Sequence, residues 1–322
     1  MKRILAICAV AALAGCASGS GDADISDVFV LSPPEKVLFW LKEQQCEDGS
    51  WRDGSNPVAS TAFAMMAFLE HGELPSSGSR FSSDYLDHPV ALASGYLVDF
   101  VRKSSALQGH EAQWDETALP VVALALVEVY DLTKNPDLKE PAIECVRRVV
   151  ERNRNVPVEA RTLRDMDSVA WSARALRMAK MGNVCVDGLV ECYDGLTNYL
   201  GQCGCDENSY YSGLRKYRAA MRRGSTAEDR AAWMDWNIAT RRNCRMAFVD
   251  ESPGAKTFGR GFYKFPASSP NASGLGVTAD SALVVLKFMI GGGGMRTLPT
   301  IGSLDLDSDC GDSSDTGVVV DI

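Results

Sequence analysis

Two closely spaced aspartates are the residues of this sequence best arranged for acid–base chemistry. Asp165 and Asp167 lie just before an apolar stretch that begins at Ser168. If both carboxyls are buried they can share a proton, which raises the pKa of one of them. The alternative, which we favour, is structural: both residues cap the helix that begins at Ser168 and interact with its positive end.

Glu128 is the third candidate for acid chemistry. It lies within an almost wholly apolar run, residues 121–130, where an unpaired charge would be costly. It could line a cavity as a functional acid, but we favour an ion pair with an arginine of a neighbouring helix. The sequence therefore offers three catalytic candidates, Asp165, Asp167 and Glu128, and identifies none of them as catalytic.

The sequence predicts no metal site and no cofactor. One residue separates Cys203 from Cys205, whereas zinc sites usually separate paired ligands by about two to four, and no histidine follows His110. The aspartates at 305, 307 and 309 are spaced like the start of a calcium loop. However, Gly311 comes one place too late and the closing glutamate is missing. We therefore expect the cysteines to form disulfides, as in an exported protein, or to be buried free thiols.

The N-terminus has the composition of an export signal. Two basic residues precede the apolar run Ile4–Leu13, which is too short for a spanning helix. The residues Leu13-Ala14-Gly15-Cys16 resemble the lipobox at which bacterial lipoproteins are cleaved and acylated. The resemblance implies that residues 1–16 are a signal peptide with lipobox, and that acylated Cys16 anchors the chain in a membrane. The alternative is an ordinary secretory signal in which the cysteine is incidental.

Composition divides the rest of the chain into three parts. Residues 17–34 are rich in Gly, Ser and Asp and predict a flexible tether, whereas residues 301–322 predict an acidic disordered tail. Between them, residues 35–300 are numerous enough for one domain with a substantial core. The net charge of −9, without a concentrated basic arm, argues against nucleic acid as a partner.

Apolar residues with helical spacing predict an all-α domain. Ala62, Met65, Met66 and Leu69, for example, form one stripe of a helix. The predicted helices cover residues 59–70, 89–101, 120–130, 138–152, 168–181, 186–200, 226–242 and 277–290. No segment alternates with period two for long enough to predict a sheet.

The predicted helices come in pairs that recur about every fifty residues. Each helical hairpin can bury its apolar face only against its neighbours, so the hairpins must stack. The nearly apolar helices are expected to form an inner layer, inside helices with mixed faces; they are 59–70, 120–130, 168–181 and 277–290. The predicted fold is an α/α toroid built from repeated helical hairpins.

Residues 36–51 join the first helix to the second through a turn of distinctive residue types. Trp40 lies on the helix, Gln45 and Gly49 follow, and Trp51 ends the turn. We expect the Gln45 amide to donate to the unpaired carbonyls at the helix end. Gly49 allows a sharp reversal of the chain, and Trp51 covers the helix end with its ring. All of these roles are structural.

The spacing of these four residues resembles the QW motif of the squalene cyclase and prenyltransferase repeat. Residues 130–141 and 165–171 resemble, respectively, an inter-helix link and an inner helix of bacterial envelope proteins that carry prenyltransferase and squalene oxidase repeats. The resemblance covers about residues 36–181 and 279–290, and it implies the same toroidal fold. Residues 203–270 match poorly, and we expect an elaborated repeat with long loops there.

The resemblance implies two possible catalytic sets, and the sequence has neither. Cyclases of this superfamily protonate an alkene with an Asp-x-Asp-Asp motif, whereas residues 165–168 read Asp-Met-Asp-Ser. Protein prenyltransferases hold zinc with Asp, Cys and His ligands late in the chain. The histidines of this sequence are His71, His88 and His110, all in its first part. The resemblance therefore extends to the scaffold and not to the catalytic residues.

These inferences predict a non-catalytic toroid that is anchored to the bacterial cell envelope through Cys16 and faces the periplasm. It would bind a protein, peptide or hydrophobic ligand. Ala17 is not the aspartate associated with retention in the enterobacterial inner membrane, so the outer membrane is favoured. The alternative is a terpenoid cyclase-like or prenyltransferase-like enzyme acting on an isoprenoid or other lipid, with Asp165 or Asp167 as the acid. A cavity with apolar walls and an acid at its bottom would favour the enzyme. A cavity filled by side chains would favour the binding protein.

Overall fold

The computed structural model describes residues 31–74, 87–106, 114, 117–154, 163–203, 209–254, 259–269 and 271–290. These residues are mostly helical, as the sequence predicts. Their elements are α1 (Pro33–Gln44), α2 (Pro57–His71), α3 (Asp87–Ala106), α4 (Ala118–Thr133), α5 (Pro136–Arg154), α6 (Leu163–Met181), α7 (Leu189–Cys203), α8 (Tyr210–Met221), α9 (Ala227–Arg245), β1 (Phe248–Asp250), β2 (Gly261–Tyr263) and α10 (Val277–Met289). The predicted lipobox with Cys16, most of the 17–34 segment and the 301–322 tail lie outside the described residues.

The helices predicted to be inner pack against one another. α2 lies between α10 and α4, and α4 packs against α6. α3, α5 and α7 pack against α2, α4 and α6, respectively. Every residue from Val58 to Glu70 and from Ala118 to Val129 is buried, so α2 and α4 are covered around their whole circumference. The core therefore has its centre at these two helices.

Two helices begin with reciprocal caps. At α1, the Ser32 backbone N–H donates to Glu35 Oε2 over 2.8 Å, and two prolines occupy the first turn, where no N–H partner is needed. α1 therefore starts two residues before position 35, the predicted start of the domain. At α9, Thr226 accepts from the Asp229 N–H over 3.0 Å, while Asp229 accepts from the Thr226 N–H. The predicted start of this helix is confirmed.

The start of α6 corrects the prediction for the two aspartates. α6 begins at Leu163, so Asp165 and Asp167 lie within the helix and not before it. The prediction that they cap a helix beginning at Ser168 is wrong. Acidic residues interact favourably with a helix dipole from inside the first turn as well as from the cap position, so their presence does not fix the starting residue.

On either side of α9, the helix α8 and the strands β1 and β2 form structure that the sequence did not predict. α8 packs against α9, and a small antiparallel sheet follows in which Phe248 of β1 pairs with Tyr263 of β2. Trp40 of α1 lies against Phe262, with ring centroids 5.0 Å apart, so β2 covers α1. The expectation that no sheet is present is wrong. Strands of three residues are too short to produce a recognisable alternation.

The turn after α1 requires glycine at position 49. Gly49 has φ +86°, and its N–H donates to the Cys46 carbonyl over 2.9 Å. A β-carbon at this position would lie 2.2 Å from the carbonyl oxygen of Leu92 in α3. The chain therefore needs both the left-handed backbone and the missing side chain, as expected for a sharp reversal against a neighbouring helix.

Trp51 and Gln45 fix the same turn, but Trp51 takes the role at the end of α1 that was predicted for Gln45. The Trp51 indole is fully buried, and its Nε1 donates to the Leu41 carbonyl over 2.7 Å. Trp51 thus satisfies the end of α1 that Gln45 was expected to satisfy. Gln45 Nε2 donates instead to the carbonyls of Gly49 and Pro89, each over 3.0 Å, so it joins the turn to α3. The predicted partner of Gln45 is wrong, whereas its structural role is confirmed.

The first and last helical parts of the described chain are joined directly. Asp53 Oδ2 accepts from the Thr278 N–H over 2.7 Å, which caps α10 from a distant loop because the N-cap residue is Gly276. Gly54 approaches the Leu275 carbonyl so closely that a β-carbon would lie 1.5 Å from its oxygen. Together with the packing of α2 against α10, these contacts hold the two ends of the helical array side by side.

Among the described helices, none has the length and apolar character that crossing a bilayer requires.

Candidate functional site

Four helices each contribute one member to a group of buried polar side chains in the interior: Glu70 from α2, Glu128 from α4, Arg174 from α6 and Tyr210 from α8. Arg174 Nη2 lies 2.7 Å from Glu70 Oε1, and Arg174 Nη1 donates to the Tyr210 hydroxyl. The ion pair therefore lies in a low-dielectric interior, where each partner depends on the other. This buried polar cluster, as we call these four residues, is surrounded by the apolar core.

Glu128 is the anomalous member of the buried polar cluster. Neither of its carboxylate oxygens has a hydrogen-bond partner in the described part of the chain. Burial, and then the charge of Glu70, hold its pKa well above the usual range, although Arg174 acts in the opposite direction and Asp131 adds a smaller increase. The side chain is therefore a neutral carboxylic acid at pH values where an exposed glutamate is ionised.

The predicted arginine partner of Glu128 exists but forms its ion pair elsewhere. Arg174 comes from a neighbouring helix, as expected, yet its 2.7 Å contact is with Glu70. The prediction that Glu128 forms this ion pair is therefore wrong. One guanidinium cannot neutralise two buried carboxylates, so the second carboxyl keeps its proton.

A small pocket of about 70 Å³ opens beside the buried polar cluster. Its wall includes Trp171, whose ring stacks on Tyr210 with a centroid separation of 5.1 Å and an interplanar angle of 10°. Arg174 and Lys287 contribute buried cationic side chains, and Asp167 contributes an exposed carboxylate. The pocket therefore combines an aromatic face with charged groups of both signs.

The predicted catalytic acids do not assemble into a dry acidic site. Asp167 borders the pocket but is exposed to solvent, and the side chain of Asp165 lies outside the described residues. Glu128 does not line the pocket, whereas Arg174 contributes both to its wall and to the buried polar cluster. Protonation of an alkene needs a carboxylic acid that faces the substrate, and among the residues lining this pocket Asp167 is the one carboxyl.

Sequence reasoning missed Glu70, Arg174, Tyr210 and Lys287. Glu70 and Lys287 carry a signal in retrospect, because each is a charged residue near the end of a largely apolar helix, whereas Arg174 shares α6 with several other charged residues. Such residues are almost never fully buried unless they are paired, so an acid and a base on different apolar helices are candidates for one another. Tyr210 carries no comparable signal. Burial raises its pKa far above the usual range, so its hydroxyl stays protonated.

The described residues contain no cluster of three or more histidine, cysteine or acidic side chains that could hold a metal ion. Cys145 and Cys244 are buried thiols of the apolar core. Burial raises the pKa of Cys244 to about 11, although Lys287 acts in the opposite direction. These two thiols are therefore protonated and unsuited to act as nucleophiles or metal ligands at neutral pH.

No family model, no curated protein and no solved structure matches this chain. Its resemblance to the prenyltransferase and squalene cyclase repeat thus remains a prediction from the residues of the turn and the inner helices.

Proposed function

We propose that this chain is an envelope-anchored, non-catalytic α/α toroid that binds a segment of a protein or peptide partner. The observation that supports this proposal most strongly is that, in the described part of the chain, buried side chains fill the interior. α2 and α4 are buried on every side, and the pocket beside the buried polar cluster holds only about 70 Å³. Sites for drug-sized ligands usually provide about 300–1,000 Å³. A long isoprenoid would not fit this pocket, whereas one side chain of a docked segment would.

The packing order of the helices supports the toroidal part of the proposal. α10, α2, α4 and α6 follow one another by direct contact, and α8 contacts both α6 and α10. In a closed ring of hairpins, the first and last repeats must meet, and the bond between Asp53 and Thr278 joins those parts of the chain. Each of the five remaining helices packs against one of these inner helices, as a double layer requires. The contacts are α1 on α10, α3 on α2, α5 on α4, α7 on α6 and α9 on α8.

The pocket has the chemistry of a docking point. The stacked rings of Trp171 and Tyr210 offer a rigid apolar surface, and Lys287 and Asn271 offer polar groups, with Lys287 Nζ 3.4 Å from Asn271 Oδ1. Small pockets with aromatic walls and a few polar groups are suited to anchor one side chain of a larger partner.

The enzyme alternative finds less support. An alkene-protonating acid must be kept dry, but Asp167 is exposed and belongs to the pocket's rim. The buried acid, Glu128, does not line the pocket. We therefore retain the binding protein as the proposed function.

The proposed anchor would join the domain beside a part of the chain that carries exposed apolar side chains. Lys36, in the first turn of α1, binds Asp250 of β1 over 2.7 Å, so the chain leading back towards Cys16 enters beside the segment that follows α9. The exposed large apolar side chains of the described residues all occur in this part of the sequence; they are Met221, Met234, Ile238, Met246 and Val249. This proximity supports an orientation in which α9 faces the membrane.

Site-specific photo-crosslinking tests the proposed function. A benzophenone amino acid replaces Leu283, a half-buried residue of the pocket wall, in the full chain expressed in cells. The control carries the same group at Ala231, an exposed residue of α9. We expect a protein or peptide adduct, identified by mass spectrometry, from position 283 only. Equal adducts from both positions would refute pocket docking.

The enzyme alternative has its own test. The full chain is incubated with a polyprenyl lipid extract, and the products are followed by mass spectrometry. We expect no conversion by the parent protein or by Asp167→Asn. Conversion by the parent that disappears in Asp167→Asn would overturn the non-catalytic assignment.

A further inference from the structure

Arg218 of α8 is a partly buried cation that has no anionic partner among the described residues. Its Nε is shielded from solvent and has no hydrogen-bond acceptor among the described residues. Arg215, one turn earlier on the same helix, is exposed and can be neutralised by solvent. A guanidinium that is removed from water needs an acceptor, because an uncompensated buried charge is costly.

The groups around Arg218 make its position more unfavourable. Arg174 and Arg177 are three residues apart on α6, which places them as neighbours on the helix surface, and α6 packs against α8. Burial, and then the charges of Arg177 and Arg174, together lower the pKa of Arg218 to about 10. The groups that act in the opposite direction are two tyrosines, Tyr193 and Tyr210, and no carboxylate is among them.

The known ion pair neutralises only one of these three cations. Glu70 binds Arg174, whereas neither Arg177 nor Arg218 has a hydrogen bond or ion pair from its side chain within the described part of the chain. Two positive charges are therefore left together at the junction of α6 and α8. Guanidinium groups bind carboxylates and phosphates through paired hydrogen bonds, so this arrangement matches a small anion.

We propose that Arg177 and Arg218, together with Arg174 one turn from Arg177 on α6, form a binding site for a phosphate or carboxylate oxyanion. Both arginines are half-buried and thus still reachable from solvent. Arg174 also borders the proposed docking pocket, but neither Arg177 nor Arg218 lines it, so the site extends beyond that pocket. Its existence does not depend on which partner the pocket binds.

Thermal unfolding in the presence of simple anions tests the site. The full chain in mild detergent is heated while helix content is followed by circular dichroism, in sodium phosphate, sodium acetate or sodium chloride at matched ionic strength. We expect phosphate, acetate or both to raise Tm above the chloride value by about 5 °C at a hundredfold excess over Kd. The anion that raises Tm shows whether the natural ligand carries a phosphate or a carboxylate group.

Two variants on one helix separate specific binding from general salt effects. Arg218→Met should lose the anion-induced rise in Tm, and in chloride it should be as stable as the parent or more so, because an unpaired cation is removed. Arg215→Met, at the exposed position, should keep the full rise. If Arg218→Met does not fold, Arg177→Gln replaces it in the test and must lose the anion-induced rise in Tm.

Two results would overturn the proposal: an equal rise in the parent and in Arg218→Met, or no rise in the parent with either anion. Neither result bears on the crosslinking experiment at position 283, so the two proposals can fail separately.

Discussion

Replacing Glu128 by glutamine should make the protein's stability less sensitive to pH. The folded state raises the pKa of Glu128, so its native carboxyl keeps a proton that the unfolded chain releases above a pKa of about 4.3. The stabilising contribution of this proton is complete below the unfolded pKa and is lost as the pH rises towards the folded pKa. Glutamine resembles the neutral acid in shape and has no proton to lose in this range.

The expected magnitude follows from linkage. Between the two pKa values, each pH unit costs the parent protein about 1.4 kcal/mol relative to Glu128→Gln. From about pH 5 to about pH 6, the difference in Tm between the variant and the parent should therefore grow by about 3–6 °C. The charged groups that contribute to the pKa of Glu128 are Glu70, Arg174 and Asp131, and all three are unchanged in the comparison.

Urea or thermal unfolding at several pH values measures this difference. Glu151→Gln on α5 is the matched control, because Glu151 is exposed and its replacement should leave the pH dependence unchanged. Parallel stability curves for the parent and Glu128→Gln would refute the reasoning. They would mean that Glu128 is ionised and compensated in the native protein, so that its carboxylate is not a solitary buried acid.

Four further predictions concern the turn, α3 and the buried ion pair, and urea unfolding measures each. Gly49→Ala should cost at least about 2 kcal/mol, because its φ is +86° and the new methyl would meet a carbonyl of α3. Gly95→Ala, with no atom within 4 Å of the new methyl, should instead stabilise α3 by about 0.5–1 kcal/mol. Trp51→Phe should cost about 1–3 kcal/mol, because a buried carbonyl at the end of α1 loses its donor. Arg174→Met should cost about 3–5 kcal/mol by leaving Glu70 unpaired, and the double variant with Glu70→Leu should recover much of that loss. Additive costs in the double variant would contradict the ion pair.

Helices with strong apolar periodicity could be predicted from the sequence, and their boundaries less well. α2 and α10 differ from their predictions by no more than two residues at either end. α6 begins earlier than predicted because acidic residues suit a first turn as well as a cap. α8, which was not predicted as a separate helix, owes its position to packing against α9. Such packing depends on contacts between parts of the chain that local periodicity does not reveal.

The candidate site was predicted only in part, because its partners are distant in sequence. Glu128 could be singled out as one charge in an apolar run, but the arginine predicted to pair with it pairs with Glu70. The choice of Glu70 as the partner of Arg174 joins residues 104 positions apart, and it depends on how α2, α4 and α6 pack. Two acids compete for one guanidinium in this core, and only their positions in three dimensions decide which one is ionised.

The protonation state of Glu128 links the buried polar cluster to the proposed anion site. If Glu128 is neutral, Glu70 is the carboxylate that balances Arg174, and the positive charges of Arg177 and Arg218 have no counterpart in the part of the chain that the structure describes. If Glu128 were ionised, the interior would carry an additional negative charge beside Arg174, and the need for an external anion would be smaller. Burial of Glu128 without hydrogen bonds disfavours the ionised form. The same desolvation that keeps one acid neutral therefore supports the proposal that the arginines at the junction of α6 and α8 bind an anion.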